Sequence, residues 1–208
     1  FLPPIDLPQY LDVNHPAIVD PNTTGSYLIR YREDHLKCMK HAKQVAQEIN
    51  AEFAQKFGRD WGGLIDTYRM DDAEYAIVTM GSACGAARVV VDEYRARGVR
   101  MGMLKVRYMR PFPDEEIAKA LSGCKAYGVI DRSVCFGWDM GVLAVEVNAA
   151  CGRYGVKLPN LAFIGGLGGL DIRTEYVSKA AGMIVGAAEG KYTDRDSYWM
   201  NEDFLEEE

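Results

Sequence analysis

Between Tyr75 and Asp131 short apolar runs alternate with amphipathic ones, an order that few sheets accommodate. Tyr75–Thr79 (YAIVT) has the continuous apolar character of a buried strand. Gly81-Ser82 and a helical pattern over Ala83–Arg97 follow, stopped by Gly98. Arg100–Tyr108 is a second strand pattern, and Pro113 and Asp114 open a second helix whose early acids suit the positive end of its dipole. Tyr127–Ile130 is a third strand, closing at Asp131. Parallel neighbours need a crossover, and crossover helices cover both faces of the sheet. The expected fold class is therefore α/β: an open, mainly parallel, Rossmann-like sheet with helices on both faces, preceded by an extended arm and a long helix.

The remaining segments extend this pattern. Gly141–Tyr154 predicts a helix with Val142, Val145, Ala149 and Cys151 inward; Asn160–Ile164 predicts a fourth strand and Glu175–Ala188 a last helix. The alternation Met101, Met103, Lys105, Arg107 predicts that one face of the second strand is less covered than the first strand's. Upstream, Phe1–Arg30 holds five of the eight prolines, which remove donors and favour extended backbone. Its interleaved Phe1, Leu2, Ile5, Leu7, Tyr10 and Leu11 predict an irregular arm lying along another domain or subunit. Asp34–Phe57 carries one apolar stripe (Leu36, Met39, Ala42, Ala46, Ile49, Phe53, Phe57) ended by Gly58, and Arg59–Tyr68 is a Gly-rich connection. The expected organisation is an arm, long helix and connector over 1–70, the α/β domain over 71–190, and an acidic tail over 191–208.

Charge and cysteine content exclude several functions. Seven acids against Lys191 and Arg195 place −5 of the net −6 after residue 190, leaving the rest near neutral. No basic face suited to nucleic acid results. No run of about 18 apolar residues exists, so no membrane-spanning helix is expected. Cys38, Cys84, Cys124, Cys135 and Cys151 form no CxxC pair. They are expected as reduced thiols packed as small hydrophobes in a cytoplasmic protein. A start at Phe1 without a signal-peptide pattern suggests a piece of a longer polypeptide or a processed subunit.

Open parallel sheets bind ligands beyond the carboxyl ends of their strands, which directs attention to three turns. Gly81-Ser82 opens a helix, but MGSACG is not GxGxxG and no acid ends the second strand, so a dinucleotide site is disfavoured. Asp131-Arg132-Ser133 sets an acid beside a base, and a loop-locking role outweighs a catalytic one. Gly165–Gly169 lacks the Lys-Ser/Thr of a phosphate loop. His15, His35 and His41 all precede the sheet, and His35 and His41 are six apart, which is not a shared helix face. No catalytic, cofactor-binding or metal residue is assigned. The candidate inter-domain or ligand-facing loops are Gly81, Ser82, Arg110, Pro111, Phe112, Asp131, Arg132, Gly165 and Gly168.

The segments TMGSACGAARVVVDEYRARGVRMGMLKVRYMRPFP, VIDRSVCFGWDMG and FIGGLGGLDI resemble the alpha subunit of the pyruvate:ferredoxin (2-oxoacid:acceptor) oxidoreductases. The similar part is the domain after the thiamine-pyrimidine domain, a relative of the transketolase C-terminal domain. FLPPIDLP and AQKFGRDWGGLIDTYR resemble that subunit's connecting region, so the likeness covers about Phe1–Arg173. Leu170 stands where the family commonly has arginine after GLGG. The resemblance implies oxidative decarboxylation of a 2-oxoacid on thiamine diphosphate and Mg, with electrons passing through [4Fe-4S] clusters to ferredoxin and the acyl group usually to coenzyme A. It implies partner subunits of beta, gamma and delta type, and leaves the 2-oxoacid open. This chain lacks the GDG…N diphosphate motif, an evident pyrimidine-domain glutamate and cluster cysteines, so it is expected to bind no cofactor alone and to brace its neighbours. A free-standing Rossmann-like nucleotide enzyme and a non-enzymatic assembly module are the alternatives.

Overall fold

Strand pairing in a computed structural model, which describes residues 13–16, 22–192 and 194–206, gives one six-stranded sheet. Its strands are β1 (Ile65–Tyr68), β2 (Tyr75–Thr79), β3 (Met101–Val106), β4 (Ala126–Asp131), β5 (Asn160–Gly165) and β6 (Tyr198–Met200). They lie in the order β1-β3-β2-β4-β5-β6. Only β1 runs antiparallel, pairing Ile65 with Val106; every other pair is parallel. The open, mainly parallel α/β class is thus as expected. β1 and β6 were not: the former lies in the supposed Gly-rich connection and the latter in the acidic tail.

Contacts divide the chain into two units, Phe1–Met39 and Lys40–Glu208. The long helix α1 (Gly25–Phe57) contributes to both. It begins nine residues before the expected Asp34, so the stretch up to Arg30 is not all irregular arm. In the sequence no proline falls between Asn22 and Arg110, and the N–H of Leu28 already donates to the carbonyl of Thr24 at 3.0 Å. The stripe expected on α1 is only partly covered: no residue of the helix is buried, and Leu36, Ile49 and Phe57 are exposed. The apolar residues Phe1 to Leu11 of the expected arm lie outside the described residues.

Four helices cover the sheet of the second unit: α2 (Ala83–Ala96), α3 (Asp114–Leu121), α4 (Val142–Arg153) and α5 (Thr174–Ala187). Alternation along each strand sends side chains to two cores. Ile77, Met101, Met103, Ile130 and Phe163 pack with α2 and α5, while Val78, Leu104, Val106, Val129 and Ala162 pack with α3 and α4. Each such large side chain contributes about 1.5–3 kcal/mol by leaving water.

Two expectations about coverage are corrected. β3 is covered on both faces, because Met70 and Ala73 close over Gly102 and only Lys105 is half-buried. α4 turns Leu143, Ala144, Val147, Ala150 and Cys151 inward, while Val142 and Ala149 are exposed. Its sequence is apolar on several sides, so periodicity alone does not select the face; the anchoring of its first turn does. Cys84, Cys124 and Cys151 are buried as expected of small hydrophobes, whereas Cys38 is exposed and Cys135 half-buried; all five are free. No described helix is long and apolar enough to cross a membrane.

Candidate functional site at the sheet switch point

From β2 the chain crosses to β3 on one side of it, then returns to β4 on the other. The crossover helices therefore lie on opposite faces, and a crevice opens between the carboxyl ends of β2 and β4. A depression of about 430 Å³ occupies this place, bounded by Met80, Gly81 and Ser82 on one side, Asp131, Arg132 and Ser133 on the other, and Met109. The two strand ends are tied by the Thr79 hydroxyl, which donates to the Ile130 carbonyl at 2.9 Å.

Asp131 is buried and fully engaged. Its Oδ1 accepts the Ser133 N–H at 3.1 Å and the Ser133 hydroxyl at 2.9 Å, and its Oδ2 accepts the N–H of Leu143. Ser133 Oγ in turn accepts the N–H of Val142 at 3.3 Å. Strand end and helix start are thereby locked together, and two of the orphan N–H groups of α4 find acceptors. Gly141 is required at the join, since a Cβ there would overlap the Asp131 carboxylate. Three of the carboxylate's roughly four acceptor sites are thereby occupied by the loop and the helix start.

Arg132 points along the rim. Its Nη2 donates to the Gly166 carbonyl at 3.2 Å and its Nη1 to Ser82 Oγ at 3.4 Å. Among the described residues no carboxylate pairs with it. Gly166 takes φ +71° and packs against this guanidinium. Ser82 caps α2 without a side-chain bond to the helix, so free N–H groups and a guanidinium share the rim. That rim suits an anionic group in a neighbour better than acid–base work.

The structure thus brings together Gly81, Ser82, Asp131, Arg132 and the Gly165-Gly166 end of β5. It separates the others. Arg110 turns away to pair with Glu146 of α4 at 2.5 Å, and Phe112 packs half-buried beside the α3–α4 core. Pro111 follows a cis bond, while Gly168 sits exposed in a 3₁₀ turn (Leu167–Gly169) with φ +62°. Leu170, after that turn, is exposed. Another depression, about 790 Å³, lies beside Tyr94, Ser178, Lys179 and Phe204. It shares no lining residue with the switch-point crevice, and no motif in the sequence announces it.

The residues present do not fit an iron–sulfur cluster or a divalent metal. Burial pushes the thiols of Cys84, Cys151 and Cys124 up, the last to about 11, whereas cluster ligation needs accessible thiolates. Among the described residues no three His, Cys, Asp or Glu side chains converge as metal ligands. Nor does the engaged Asp131 offer the free carboxylate that a thiamine pyrimidine ring requires.

Fold and crevice define a doubly wound α/β domain whose switch point is tied together by Thr79, Asp131 and Arg132. The chain belongs to the family of pyruvate:ferredoxin oxidoreductase core domain II, which residues 73–177 match. It is 38% identical over 198 residues to the NADH-dependent phenylglyoxylate dehydrogenase subunit alpha of Aromatoleum evansii, covering 92% of this chain and 48% of that protein. It is 37% identical to the pyruvate synthase subunit PorA of Methanosarcina barkeri (86% and 44% covered). To the ketoisovalerate oxidoreductase subunit VorA of Pyrococcus horikoshii it is 33% identical (97% and 51% covered). The chain spans about half the length of these relatives.

Proposed function

We propose that this chain is the core-domain-II part of the alpha subunit of a thiamine-diphosphate-dependent 2-oxoacid oxidoreductase, and that it contributes shape rather than reactive groups. The observation that carries this reading is that both oxygens of Asp131, a buried carboxylate at the switch point, are held by Ser133 and the first turn of α4. The acid best placed for chemistry holds the loop instead. The family match and the subunit names of the relatives support the enzymatic setting. Thiamine diphosphate with Mg, and [4Fe-4S] clusters, belong in this proposal to neighbouring domains and subunits of beta, gamma and delta type. Ferredoxin accepts the electrons and coenzyme A the acyl group. The Gly81-Ser82 turn, Arg132, the Arg110–Phe112 segment and the Gly165–Gly168 run form the loops that abut those neighbours. The reaction proceeds in the cytoplasm.

The relatives' names cover phenylglyoxylate, pyruvate and ketoisovalerate, so the shared chemistry is oxidation of a 2-oxoacid, and the side chain accepted is set outside this chain. Calorimetry with thiamine diphosphate tests the division of labour. The isolated chain should give no binding heat, while the assembly containing it should reduce a viologen dye when given a 2-oxoacid and coenzyme A. Thiamine-dependent turnover by the isolated chain would sink the proposal, as would an assembly that oxidises no 2-oxoacid.

A further inference from the structure

The loop after β4 folds back on itself. The N–H of Cys135 donates to the carbonyl of Met140 at 2.8 Å, and that of Trp138 to the carbonyl of Cys135 at 3.1 Å. Gly137 and Asp139 take positive φ, 82° and 51°, which closes the turn. This geometry holds Phe136 and Trp138 outward, 98% and 65% exposed. Trp199 of β6, 45% exposed, lines the same depression of about 780 Å³. Its charged members are Asp139 and Asp196, and no described lysine or arginine lines it.

Two large rings held in water by a hydrogen-bonded turn, beside a third half-exposed on β6, form one aromatic face open to solvent. Contiguous exposed aromatics mark binding surfaces, and rings at the centre with charge at the rim is the anatomy of a protein interface. We propose that the Phe136–Trp138–Trp199 face docks another polypeptide domain of the assembled enzyme, one with an apolar centre and lysine or arginine at its margin. Charge selects this occupant. A second copy, face to face, would set Asp139 and Asp196 against their own counterparts, and an anionic bilayer would meet the same carboxylates. A basic rim meets them with opposite sign, and its cations also stack on the rings. The relatives, named as subunits, are about twice as long, so each has as much chain again beyond the matched part.

The inference rests on the chain working within a larger assembly but not on which reaction that assembly performs. In the purified complex, a photo-cross-linking analogue in place of Phe136 should link to a Lys- or Arg-bearing peptide of another domain. Phe136→Ser with Trp138→Ser should weaken association by about tenfold or more, the effect of losing a hot spot, with the circular dichroism of the free chain unchanged. Asp139→Lys with Asp196→Lys should weaken it as well. Cross-links to position 136 of a second copy, or to lipid, overturn the proposal. So does an active complex in which the analogue links to nothing and all four substitutions are silent, an outcome that leaves the proposed function standing. Recovery of the chain from its natural source without any companion polypeptide overturns both.

Discussion

Asp131 and Leu143 are joined across the loop between β4 and α4: the carboxylate ending the strand accepts the N–H in the helix's first turn. Eleven residues of intervening chain are thereby closed, and the rotation of α4 about its axis is set. Replacing Asp131 by alanine removes this acceptor and the two bonds from Ser133. The expected cost is about 2–4 kcal/mol, combining a lost helix cap with buried donors left unpaired. Asp131→Asn, which keeps one acceptor oxygen, should cost less. Urea unfolding followed by circular dichroism gives both values, and an alanine variant as stable as the parent would remove the bracing role.

Gly141→Ala tests the same join from the other side. Its Cβ would enter the space of the Asp131 carboxylate, so the substitution should destabilise by about 1–3 kcal/mol, as overpacking does. In an Asp131→Ala background the obstruction is gone and the penalty should shrink. A double-mutant cycle then yields a coupling energy of about 1 kcal/mol or more, whereas strict additivity would show that the two residues do not meet.

How far these features were legible follows from their range in sequence. β2, β4 and β5 are continuous apolar runs, and Gly-Ser or Pro-Asp signals open α2 and α3, so local pattern located them. β1 (IDTY) and β6 (YWM) are four and three residues long, too short for periodicity, and exist by pairing with β3 and β5. The inward face of α4 depends on Asp131, and the bond from Arg132 to Gly166 spans 34 residues; neither leaves a local mark. The aromatics Phe136 and Trp138 stood in plain view around Gly137, but apolar residues are expected inside, and only the turn geometry shows them outside.

Acid should weaken the ion pair that ties α1 to α3 through Lys43 and Asp114, whose Nζ and Oδ1 lie 2.5 Å apart. Burial pushes the Asp114 carboxyl up, but the Lys43 hydrogen bond and charge outweigh it, and the net shift is downward. Glu116 also approaches Lys43, at 3.8 Å, and Arg153 approaches Asp114 at 3.5 Å. A lowered folded value means the stabilisation is complete above the unfolded carboxylate range and is lost as pH falls through the folded value. Lys43→Met should therefore cost on the order of 1 kcal/mol near neutrality, and its deficit should close below about pH 4. Unfolding midpoints measured across that range decide it; a pH-independent deficit would mean packing alone is lost.

Thiol reactivity should divide the cysteines by burial. Cys38 is exposed and Cys135 half-buried, while Cys84, Cys124 and Cys151 are enclosed with their thiols pushed up by desolvation. Iodoacetamide at about pH 8 should label the first two in the native chain and the other three only in denaturant, because the thiolate is the reacting form. Peptide mass spectrometry reads the pattern. Native labelling of Cys124 would contradict the core described for the α3–α4 face.

The acidic tail contributes to the core as well as to charge. Its 3₁₀ turn (Glu202–Leu205) places Phe204, 1% exposed, edge-on to Phe163 and Tyr176 with ring centres 6.2 and 6.1 Å apart. Lys179 fastens the turn by donating to the Phe204 carbonyl at 2.5 Å. Aromatic burial outweighs the mutual repulsion of Glu202 and Glu206, since these exposed carboxylates stay in water where screening is strong. Phe204→Ala should therefore destabilise the α/β unit by about 3–5 kcal/mol, whereas neutralising exposed Glu206 should change stability by less than about 0.5 kcal/mol. Thermal unfolding of the two variants separates a structural tail from a solvated one: equal midpoints would show that Phe204 does not hold β6 to the sheet.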